Sequence, residues 1–114
     1  MRAKPEAGTE LDQLIARYAM KGVEAPYSTN TDDAVRAWQK TAVRERYAVA
    51  WALMPTWGYL DPTELVTLRV TGWRVVDQSP GADGQPSSRI VAEADTMALA
   101  ICRAVWKLVR PPKM

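Results

Sequence analysis

The stretch VAEADTMALAICRAVWKLVRPP near the end of the chain constrains the fold more than any other. Arg89 to Ala94 reads as a strand, Asp95 or Thr96 as an N-cap, and the following helix stops at Pro111 and Pro112. Met97, Leu99, Ile101, Cys102, Val105, Trp106, Leu108 and Val109 spread around most of that helix. So broad an apolar surface implies burial on more than one side, and the rest of the chain has to supply the covering layers.

With 114 residues, 47% apolar and 25% charged, the chain is expected to form a single domain over 1–114. Residues 1–8 read as a polar lead and 78–88 as a loop, from the turn-forming SPGADGQPSS. Five Trp, four Tyr and no Phe mean that nearly every large ring carries a polar tip, which places some rings at a boundary. One Cys permits no internal disulfide and suits a reducing cytoplasm. The start of the chain lacks a signal-peptide core, and no run nears the roughly 18 apolar residues of a membrane span. The expectation is a cytoplasmic protein without membrane contact.

Thr9 reads as the cap of a first helix carrying Leu11, Leu14, Ile15 and Tyr18 and ending at Gly22. Pro26 blocks continuation. The cluster YSTNTDD then offers caps and two acids for a second helix through Ala34, Val35, Trp38 and Ala42. In Tyr47 to Met54, Tyr47, Val49, Trp51 and Leu53 alternate as in a strand, while the alanines tilt the segment toward helix. Pro55 to Pro62 reads as a connection holding Trp57 and Tyr59. ELVTLRV and WRVVDQ, flanking Thr71-Gly72, read as an antiparallel hairpin. The expected class is therefore α+β, with a three- to four-stranded, mainly antiparallel sheet between helical layers in an α/β/α sandwich.

Three segments, TELDQLIARYAMKG, YSTNTDDAVRAW and AEADTMALAICRA, resemble the phage ABA sandwich domain family in the order in which they occur. That family comprises small phage and prophage proteins whose biochemical role is unassigned, so the resemblance implies a phage setting and supplies no catalytic residues to carry over. The segment RERYAVAWALMPTWGYLDP departs from the family pattern, which leaves the strand order open.

The absence of His excludes Ser-His-Asp and Cys-His catalysis and His-containing zinc sites. Cys102, among Ile101, Val105 and Trp106, reads as a buried hydrophobe. The acids Asp32-Asp33, Asp61 with Glu64, and Glu93 with Asp95 have structural readings as helix-start, loop and cap residues. No cofactor or metal site is expected, and the chain is read as non-catalytic.

Two binding modes remain. Trp57 and Tyr59 are candidate protein-binding residues, because rings of this type are common interface anchors. Arg36, Lys40 and Arg44 recur at helical spacing and could track phosphates, as could Arg103, Lys107 and Arg110. For both stripes a solvated helix face is the competing reading. Sheet-edge pairing offers a route to a homodimer. The sharpest expectation is a phage accessory protein that binds a host or phage protein complex, such as an anti-CRISPR inhibitor of a defence complex. Weak nucleic-acid binding and an assembly role are the alternatives.

Overall fold

A computed structural model of the chain describes residues 6–45, 51–59, 68–78, 83–84 and 88–110, with 42–45 and 59 described in their backbone alone. Three helices, α1 (Thr9–Tyr18), α2 (Thr31–Glu45) and α3 (Met97–Val109), accompany three strands, β1 (Trp51–Tyr59), β2 (Leu68–Asp77) and β3 (Arg89–Ala94). The strands form an antiparallel sheet in the order β1-β2-β3. The class is α+β, as expected.

α3 begins where Thr96 Oγ1 accepts the Leu99 N–H at 3.2 Å, satisfying a donor that has no partner within the helix. Seven of its residues, including Ala98, Ile101, Cys102 and Val105, are buried. It packs on β2 and β3 with one side and against α1 and α2 with others. The expected burial on several sides is met. All three helices lie on the Val75 and Ala92 side of the sheet, where one apolar cluster joins them. The opposite face carries the Arg74–Glu93 ion pair at 3.0 Å with exposed Met54 and Ile90. Among the described residues the helices pack on one face of the three-stranded sheet, and Val76 is buried on the other.

α1 starts at Thr9, but its cap is Gly8, with no side-chain cap bond. The Gly8 N–H instead donates to Ser28 Oγ at 2.9 Å, while the Ser28 N–H donates to Asp12 Oδ1 at 2.7 Å. These bonds dock the turn before α2 onto the first turn of α1. Leu11 and Ile15, one helical turn apart, enter the core. After Tyr18 the chain wraps through Gly22, whose φ of 88° lies in the left-handed region that favours glycine. α2 starts after Asn30, whose Oδ1 accepts the Asp33 N–H at 3.0 Å. Its buried Ala34, Ala37 and Thr41 let it approach α3 closely, and the Thr41 hydroxyl donates to the Ala37 carbonyl at 2.8 Å.

β1 corrects the helical tilt at Trp51 to Met54, since these residues are strand; 47–50 lie outside the described residues. Pairing with β2 decides the matter, and Pro55 is tolerated because β1 is an edge strand. Thr71-Gly72 is likewise not a turn, because β2 runs unbroken through both residues. Thr56 faces Gly72 and Trp57 faces Val70, so Thr71 is the extra residue of a β-bulge. A Cβ on Gly72 would stand 3.0 Å from the Ala94 carbonyl oxygen and 3.2 Å from Thr56 Oγ1, so the close strand packing there favours glycine. A second bulge places Val91 as the extra residue of β3, between the pairs Val75–Ala92 and Val76–Ile90.

Candidate functional site

Along β1, Trp51, Leu53, Pro55 and Trp57 fall on one face by strand alternation, and the first two pack against the apolar core. Trp57 continues that face toward the strand end and is 60% exposed. Its partner Val70 is 38% exposed, and Leu68, at the register position opposite Tyr59, is 56% exposed. The result is an apolar row on an arm formed by the far end of β1 and β2. The Tyr59 side chain lies outside the described residues. Thr56 and Thr71 join across the opposite face of this arm through a 3.1 Å hydroxyl bond.

Trp57 is thus an exposed ring, as a contact residue requires, but it stands on a strand and not in a connection. Leu68 and Val70 are additional members that the sequence reading missed. Their alternation is visible in LRV, but it acquires meaning only once β1 is known to be the partner strand.

The basic residues divide into two groups. Arg103 donates to the Glu93 carbonyl at 2.8 Å and reaches Glu6 at 3.4 Å, and Lys107 donates to the Val91 carbonyl. Both cations hydrogen-bond backbone carbonyls of β3, Lys107 while remaining exposed; Arg110 is exposed. On α2, Arg36 pairs with Asp33 at 2.9 Å yet remains 63% exposed in its side chain. Lys40 is also exposed, and together with Lys21 these residues border one recess. Arg44 belongs to α2, with its side chain outside the described residues.

Cys102 is fully buried, and burial, assisted by the charge of Asp12, pushes its thiol up to about 12. Such a thiol is held in its unreactive protonated form. Tyr27 is buried too, its hydroxyl donating to the Val23 carbonyl, and its pKa is raised by burial first and by Asp33 second. The candidate acids do not converge: Asp33 is paired with Arg36, Glu93 with Arg74, and Asp95 is exposed. Asp61 and Glu64 lie outside the described residues. Among the described residues no group of three or more His, Cys, Asp or Glu could hold a metal ion, and no helix is long and apolar enough to cross a membrane.

No family model matches the chain, nor does any curated protein or solved structure.

Proposed function

We propose that this chain is a non-catalytic phage or prophage accessory protein that acts by binding a protein complex through the β1–β2 arm. The observation that carries this reading is the exposure of Trp57, at 60%, in one row with Leu68 and Val70. A large ring left in water beside aliphatic neighbours is a candidate hot spot, because its burial against a partner recovers apolar area at small cost in side-chain entropy. The phage setting follows from the resemblance of three segments to the phage ABA sandwich domain. In that setting the sharpest form of the proposal is an inhibitor of a bacterial defence complex, anti-CRISPR in type, working in the host cytoplasm.

The test is affinity purification of the tagged chain and its Trp57→Ala twin from a host with an active CRISPR effector, alongside phage plating on that host. A defence component retained by the first and lost by the second, with a matching plating advantage, supports the proposal. Absence of both the component and the advantage sinks it.

A further inference from the structure

We propose that the recess between the end of α1 and the flank of α2 docks an acidic amphipathic helical segment of a protein partner. The recess encloses about 640 Å³. Its apolar lining comes from Val23, with the buried Ala19 and Met20 forming its floor, and its cations from Lys21, Arg36 and Lys40. Val23 is 60% exposed, so a bulky aliphatic group stands in water beside the cations. Among the described residues that line the recess none is acidic; Arg36 is paired with Asp33 beside it yet keeps its side chain 63% exposed, and Lys21 and Lys40 have no ion pair with a described residue.

Two features must be satisfied together, and they select the occupant. A phosphate backbone would pair with the cations and leave the apolar lining wet, whereas a purely apolar segment would desolvate the cations without compensation. A helix with carboxylates on both sides of an apolar residue answers both demands. Arg36 and Lys40 stand one turn apart on α2, about 6 Å along its axis, and carboxylates at i and i+4 of a docked helix repeat that spacing. The surface is separate from the Trp57 arm, so the two can be disabled independently.

The test uses fluorescence anisotropy on the full chain with a fluorescein-labelled helical peptide of about 15 residues, carrying Glu at i and i+4 around Leu. Its comparators are the same peptide with Gln for Glu, a polyglutamate of equal charge and a single-stranded oligonucleotide of equal charge. The Glu/Leu peptide is expected to bind at least about tenfold more tightly than each comparator. The same margin should be lost in the Lys21→Glu, Lys40→Glu double variant and in Val23→Asp, and kept in Trp57→Ala. Far-UV circular dichroism establishes that each variant is folded. Equal binding of polyglutamate, tighter binding of the oligonucleotide, indifference to both variants, or no binding of the Glu/Leu peptide overturns the proposal. Failure here leaves the arm reading standing, because Trp57 takes no part in it.

Discussion

The indole of Trp38 on α2 meets that of Trp51 on β1 with ring centres 6.2 Å apart and planes tilted by 45°. This pair ties the root of the strand that bears Trp57 to the helical layer. In a double-mutant cycle of Trp38→Ala and Trp51→Ala followed by urea unfolding, a coupling of about 1 kcal/mol is expected. Strict additivity of the two substitutions would show that the contact has no energetic role.

At the other end of β1 the expectation reverses. Trp57→Ala removes a ring that is 60% exposed, and stability should change by no more than about 0.5 kcal/mol. Affinity for the partner should fall by about 30-fold or more, the loss corresponding to a hot spot of about 2 kcal/mol. A clear drop in the unfolding midpoint would instead make Trp57 a packing residue.

Ser28 is buried, its N–H bound to Asp12 and its hydroxyl accepting from Gly8. Ser28→Ala leaves the Gly8 N–H without that acceptor and is expected to cost about 1–2 kcal/mol. The unfolding curve should shift in midpoint at constant slope.

Cys102 gives a pH signature. Its folded pKa of about 12 lies above the ordinary thiol value of 9.0, so from the lower value upward the unfolded chain releases a proton that the folded chain retains. The stabilisation is complete below 9.0 and is lost as pH rises through the window to about 12. Within that window the native chain should lose stability more steeply than Cys102→Ala, the excess slope being on the order of 1 kcal/mol per pH unit. Equal slopes would mean that the thiol is not shielded. A thiol reagent at neutral pH should modify Cys102 only as the chain unfolds.

Arg103 separates a structural from a nucleic-acid role for the second basic stripe. With its side chain 12% exposed and a bond to the Glu93 carbonyl, Arg103→Ala should cost about 1–3 kcal/mol in stability. Retention on a DNA column should be unaltered after correction for the unfolded fraction. An intact fold with weakened retention would place Arg103 on the phosphate track.

The parts of this fold legible in the sequence are those specified locally. β3, the Thr96 cap and α3 follow one another within a few residues, and Pro111 lies just beyond the helix end. The periodicities of α1 and α2 are equally self-contained. β1 was harder because Trp51 to Met54 satisfies two periods at once, and the arbiter is β2, a strand remote in sequence. Pro55 and Gly58 resemble loop punctuation until the segment is recognised as an edge strand. Thr71-Gly72 misleads for a related reason: a bulge followed by a glycine at a close approach uses the same residue types as a tight turn. The exposure of Trp57 was legible, but the row it forms with Val70 and Leu68 depends on register, which local chemistry does not encode.

The burial of α3 within the core has an evolutionary consequence. Because the apolar core includes none of Trp57, Val70 and Leu68, substitutions in that exposed row are expected to carry a small folding penalty. The tip can therefore vary in sequence while the scaffold stays unchanged.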